Sequence, residues 1–157
     1  MRLKVILAAV LLTFSLIACG NSDAKGSNDG SGLVWHENLE TAVEVAKVEG
    51  KNVLVNFTGS DWCQWCIKLN GEVFTKSEFA KYAKENLVLV KLDFPRYTKQ
   101  SESTAKYNRA KMTKYGVRGF PSIILLDGNG NLVGNTGYRP GGPEKYVQHL
   151  EEYFSKK

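Results

Sequence analysis

Apolar residues along positions 33–157 follow two rhythms, helical spacing and short unbroken runs. Leu39, Ala42, Val43 and Ala46 share one helix face, with Asn38 placed to cap the start and Gly50 to stop the helix. Asn52 to Thr58 is a compact run rich in β-branched residues, as expected of a strand buried on both faces. Gly59-Ser60-Asp61 reads as the turn that follows, and a helix begins near Cys63 and carries Ile67 and Leu69. Ser77 is expected to cap a further helix through Phe79, Tyr82 and Ala83. Leu87 to Phe94 is a second strand ended by Pro95, residues 96–103 are polar and expected to loop, and Thr104 to Tyr115 returns to helical spacing before Gly116. Ser122 to Leu126 is a third strand, Asp127-Gly128-Asn129-Gly130 a hairpin turn, and Asn131 to Tyr138 the returning strand. Pro143 suits the first turn of a last helix running to about Phe154. Strands alternating with helices, plus one hairpin, predict an α/β domain with a mixed central sheet flanked by helices.

The pattern changes before residue 33. Arg2 and Lys4 precede an apolar stretch from Val5 to Leu12 that, even with Phe14 to Ala18, is too short for a comfortable membrane span. It ends in Leu16-Ile17-Ala18-Cys19, which resembles the lipobox of bacterial lipoproteins. The resemblance implies that residues 1–18 are a signal peptide and that Cys19 becomes the acylated first residue, anchoring the chain to a membrane. It also implies a place in the bacterial cell envelope facing the periplasm, and Gly20 after the cysteine favours the outer membrane if the cell has one. Residues 19–32 then form a polar tether with almost nothing to bury, and residues 33–157 one domain. Removing the two basic residues of the leader lowers the net charge from +5 to +3, too mild and dispersed to argue for nucleic acid.

Export shapes the cysteine count. Of three cysteines, Cys19 is spoken for by the lipobox, which leaves Cys63 and Cys66 in Trp62-Cys63-Gln64-Trp65-Cys66. Such a dithiol is a redox centre, a metal site or a small local staple. Zinc normally takes four ligands, and no second cysteine pair exists. His36 and His149 are far apart in sequence, and covalent haem would need a histidine where Ile67 stands. A four-residue loop constrains little of the unfolded chain, so it makes a poor staple. A copper-binding or copper-delivery module and a non-catalytic binding domain remain as alternatives to the redox reading.

The dithiol follows a strand, and Tyr115-Gly116-Val117-Arg118-Gly119-Phe120-Pro121-Ser122 leads into a later strand, a hairpin and a last helix. Together these motifs resemble the thioredoxin superfamily across residues 33–157, most closely its exported members with a Gly-Ser-Asp-Trp-Cys-x-x-Cys loop, as at Gly59 to Cys66. The resemblance implies a thiol–disulfide oxidoreductase with no cofactor and no metal. Its substrates would be exported cysteine-containing proteins, and a membrane thiol reductase would supply electrons. It further implies a cis Phe120–Pro121 bond in a loop facing the dithiol, with Phe120 presenting backbone groups to an extended substrate.

Cys63, at the start of a helix, is expected to be the nucleophile, its pKa below the roughly 8.5 of a free cysteine; Cys66 is the resolving thiol. Trp65 is expected to be an exposed binding anchor, and Trp62 either a contact surface or a packing residue. Lys68 is a candidate support for the thiolate. Asn56 departs from the family, in which a buried aspartate at the matching place helps move the proton of the resolving cysteine. Asp61 and Glu72 are the acidic candidates to replace it. Gln64-Trp65 between the cysteines tunes the potential without fixing its sign, and reductase or isomerase is favoured over oxidase.

Overall fold

The computed structural model describes residues 26–28 and 32–155. In chain order the elements are β1 (Gly26–Asn28), β2 (Val34–His36), α1 (Leu39–Glu49), β3 (Asn52–Thr58) and α2 (Gln64–Leu69), which runs on into a π-helical turn over Asn70–Phe74. There follow α3 (Ser77–Asn86), β4 (Leu87–Asp93), α4 (Glu102–Lys114), β5 (Ser122–Leu126), β6 (Leu132–Thr136) and α5 (Gly142–Phe154). The six strands form one mixed sheet in the order β1-β2-β4-β3-β5-β6. β3 is parallel to β4 and antiparallel to β5, so the strand that leads to the dithiol lies inside the sheet.

Alternation along the inner strands builds two cores. Leu54, Leu89, Ile123 and Leu125 join Phe74, Phe79, Tyr146 and Leu150 on the face covered by α2, α3 and α5. Val53, Val55, Phe57, Val88, Val90 and Leu92 pack with Leu39, Ala42 and Ala46 on the other face, against α1. The period of two puts Asn56, Lys91 and Asp93 on the α2 face, where the end of the sheet becomes polar. α1 forms as its caps demand: the Asn38 side chain accepts from the Thr41 N–H, and Gly50 closes the helix at φ 67°, a conformation that favours glycine. The Tyr107 hydroxyl ties α4 to α1, accepting from the Leu39 N–H and donating to Glu40, which also pairs with Lys111.

Several boundaries correct the sequence expectations. Residues 26–28, expected to lie in the tether, pair antiparallel with β2 at the sheet edge. Ser77 does not cap α3: Lys76 flanks the helix, and the Ser77 hydroxyl donates to Glu78 instead. α4 begins at Glu102, because the Ser101 hydroxyl accepts from the Thr104 N–H and caps it two residues earlier than expected. The turn after α2 widens to π geometry, with the Thr75 N–H donating to the Asn70 carbonyl, and both Val73 and Phe74 are fully buried there. The signal segment and Cys19 lie outside the described residues.

Candidate active site

Backbone hydrogen bonds shape the dithiol loop. β3 ends at Thr58, and the Cys63 N–H donates to the Gly59 carbonyl at 2.9 Å, folding residues 59–63 into a tight turn. Cys63 takes an extended conformation (φ −81°, ψ 105°) and serves as the N-cap of α2. Its Sγ accepts from the Cys66 N–H at 3.3 Å, where a serine or aspartate oxygen would sit in an ordinary cap. Cys63 and Cys66 are joined as a disulfide with Cα atoms 5.2 Å apart. When the bond opens, the amide donor and the free N–H groups of the first helical turn favour charge on Cys63 Sγ. Cys63 is 7% exposed and Cys66 4%, so both are buried while they are joined.

The turn is stitched to the segment after β4. The Trp62 indole N–H donates to the Phe94 carbonyl at 2.8 Å, and the Arg96 guanidinium lies 3.6 Å over the Trp62 ring. Phe120 contacts both Trp62 and Phe94, with ring centroids 6.0 and 5.0 Å away. Trp62 is therefore a packing residue that joins three loops. Gly59 makes room for it, since a Cβ there would lie 2.5 Å from the indole. Asp61 accepts from the N–H groups of Arg96, Tyr97 and Thr98 at 2.8–2.9 Å, and these bonds, that from Arg96 foremost, hold its carboxyl below the usual range. Ser60 binds Asp93 twice, N–H to Oδ1 and hydroxyl to Oδ2. Residues 94–101 thus form part of the site's rim, with Tyr97 exposed at its tip.

Across from the turn, the Phe120–Pro121 peptide is cis. The register that pairs Phe57 with Ser122 sets Pro121 beside the end of β3, at the turn that carries the dithiol. Trp65 is exposed, 5.2 Å from the Tyr138 ring, and Gln64 and Ile67 are exposed beside it. The Lys68 ammonium lies 5.4 Å from the Trp65 ring centre, 5.3 Å from that of Tyr138 and 3.8 Å from Glu72. These contacts place it on the aromatic pair beside the start of α2.

Asn56 is buried and lines one cavity with Cys66, its Oδ1 without a hydrogen-bond partner among the described residues. Both acidic candidates are engaged with other groups. Asp61 is occupied by its three amides, and Glu72 accepts from the Tyr138 hydroxyl at 2.7 Å. Sequence reasoning missed Ser60, Lys91, Asp93, Arg96 and Tyr138. The polar residues alternating with Leu92 at the end of an apolar strand were the available signal for Lys91 and Asp93. Among the described residues, no three His, Cys, Asp or Glu side chains converge as a metal site would need.

The comparisons agree with this geometry. Residues 39–154 match the family model described as a thioredoxin-like domain. The chain is 36% identical over 119 residues to a Chlamydia pneumoniae protein named disulfide bond reductase DsbH, covering 76% of this chain and 71% of that one. It is 33% identical over 125 residues to the thioredoxin-related protein DsbJ of the same organism, covering 80% of this chain but only 35% of DsbJ. A solved structure named DsbH oxidoreductase superposes with a TM-score of 0.74 at 30% identity, covering 96% of both chains. Mixed sheet, capped dithiol and cis-proline loop thus coincide with sequence similarity along most of the chain, which belongs to the thioredoxin-like domain family.

Proposed function

We propose that this protein is a thiol–disulfide oxidoreductase that reduces disulfides in exported proteins, with Cys63 as nucleophile and Cys66 as resolving thiol. The observation that carries the reading is the Cys63–Cys66 disulfide, with Cys63 Sγ receiving the Cys66 amide at the start of α2. In the reduced protein the Cys63 thiolate attacks one sulfur of a substrate disulfide, and the other sulfur leaves as a thiolate. Cys66 then attacks Cys63 Sγ, re-forms the internal disulfide and releases the second substrate sulfur. Trp65 and Ile67 offer the apolar surface beside the sulfurs, and the backbone of Phe120 flanks the place an extended substrate would take. The reductase direction draws on the name of the DsbH relative.

The leader and Cys19 support a lipid-anchored protein of the cell envelope, facing the periplasm. There a membrane thiol reductase would return the disulfide to the dithiol, because the compartment itself is oxidising. Redox titration of the Cys63–Cys66 pair tests the direction. A reductase is expected to equilibrate near the potential of thioredoxin, about −270 mV. A potential near −120 mV, that of a strong thiol oxidant, would reverse the assigned direction.

A further inference from the structure

Asn56 Oδ1 and Asn108 Oδ1 are buried oxygens without a hydrogen-bond partner among the described residues. Asn56 opens on a cavity of about 170 Å³ shared with Cys66, Ser60 and Lys91. Asn108 opens on a neighbouring cavity of about 310 Å³ lined by Asp93, and Ser60 and Lys91 form part of both walls. Spaces of this size with polar walls and an unserved acceptor suit water. The register explains the convergence: Asn56 pairs with Lys91 and Thr58 with Asp93, which brings the polar ends of β3 and β4 under α2. Ser60 is exposed at the cavity mouth, its hydroxyl donating to Asp93 Oδ2 at 2.5 Å.

We propose that Asp93, through the Ser60 hydroxyl and water in the cavity beside Cys66, takes the proton that the Cys66 thiol must lose to resolve a mixed disulfide. This rests on the thiol–disulfide reading above. Cys66 gives its proton to cavity water, the water gives one to Ser60 Oγ, and Ser60 passes its own to Asp93 Oδ2. The Cys66 thiolate then attacks Cys63 Sγ. The Cys63–Cys66 bond forms, the bond from Cys63 to the substrate sulfur breaks, and that sulfur leaves with the electron pair. The dithiol loses two electrons, the substrate disulfide gains them, and Asp93 releases its proton to solvent.

A carboxylate is a far stronger base than the bulk water that would otherwise end the chain. Lys91 lines both cavities, and Lys99 and Glu37 are the other charged side chains on the wall that holds Asp93. From α2 and its continuation only Ile67 and Asn70, both uncharged, join Cys66 on the wall.

The test mixes reduced protein with substoichiometric Ellman's reagent in a stopped-flow instrument. Attack by Cys63 releases the first thionitrobenzoate in a concentration-dependent phase. Attack by Cys66 releases the second in a concentration-independent phase. Ser60→Ala and Asp93→Asn are expected to leave the first phase within about twofold. They should slow the second about tenfold or more below neutral pH, the deficit closing as hydroxide takes over at high pH. Equal second phases in wild type and variants at every pH would overturn the relay. Absence of a second release from the wild-type protein would instead contradict the thiol–disulfide reading. Asp93 also holds the Ser60 and Phe94 amides. If Asp93→Asn fails to fold by circular dichroism, Ser60→Ala, which keeps the backbone bond to Asp93, decides the matter.

Discussion

Cys63→Ser is expected to reduce protein-disulfide exchange to the uncatalysed background, a fall on the order of 10³-fold or more. The reason is local. A serine hydroxyl in the Cys63 position could still cap α2, since an oxygen accepts the Cys66 N–H as a sulfur does. The fold therefore persists while the chemistry goes, because a hydroxyl neither ionises near neutral pH nor forms a bond to sulfur that a second thiol can displace. Cys66→Ser should fail differently. Cys63 still attacks, nothing resolves the product, and the covalent complex with substrate accumulates. Insulin reduction by each variant, followed by non-reducing electrophoresis, checks both outcomes. Equal activity of Cys63→Ser and wild type would place the activity elsewhere, and a trapped complex with Cys63→Ser in place of Cys66→Ser would reverse the two roles.

Phe74→Ala is expected to cost about 3–5 kcal/mol of folding stability and to lower Tm by roughly 10–25 °C. Phe74 is fully buried at the end of the π-helical turn, with ring centroids 5.3 Å from Trp35, 4.9 Å from Phe79 and 6.0 Å from Tyr146. It joins β2, α3 and α5 behind the dithiol helix, so truncation leaves a cavity that no single neighbour can fill. A domain of this size has about 5–15 kcal/mol in total, so the loss is a large share. Residual activity per folded molecule should change little, because the core cluster that holds Phe74 includes neither cysteine. Thermal unfolding followed by circular dichroism measures the shift. A change below about 1 kcal/mol would mean that this face of the sheet is held together without its aromatic centre.

Features carried by local sequence were legible in the chain. β3 and β5 appear at their expected limits because strands buried on both faces carry compact apolar runs, Val53 to Val55 in one and Ile123 to Leu126 in the other. Asn38 and Gly50 announced α1 because caps act on backbone groups a few residues away. The dithiol and the cis-proline loop were readable because the resemblance rests on contiguous motifs. β1 and β2 were not, since three-residue strands show no period, and β1 is made of residues that look like linker. The π-helical turn has no composition of its own. Polarity marked residues 96–103 as irregular backbone, which holds for 96–101 but not for the first two residues of α4, and it could not show that Asp61, Trp62 and Ser60 tie the segment after β4 to the active-site turn. Those bonds span more than thirty residues and leave no local trace. The same distance hid Asp93: Asp61 and Glu72 were sought because they lie near the cysteines in sequence, whereas the carboxylate bound to Ser60 arrives on the neighbouring strand.

The central claim is that the Cys63–Cys66 pair exchanges two electrons with a substrate disulfide. Its most direct test is a single turnover of fully reduced protein with a protein disulfide, quenched in acid, alkylated and weighed by mass spectrometry. The expected result is one Cys63–Cys66 disulfide formed for each substrate disulfide opened, with both sulfurs left unalkylated in the turned-over fraction. Substrate reduction with Cys63 and Cys66 still alkylated, or an unreacted substrate beside an intact dithiol, would contradict the account.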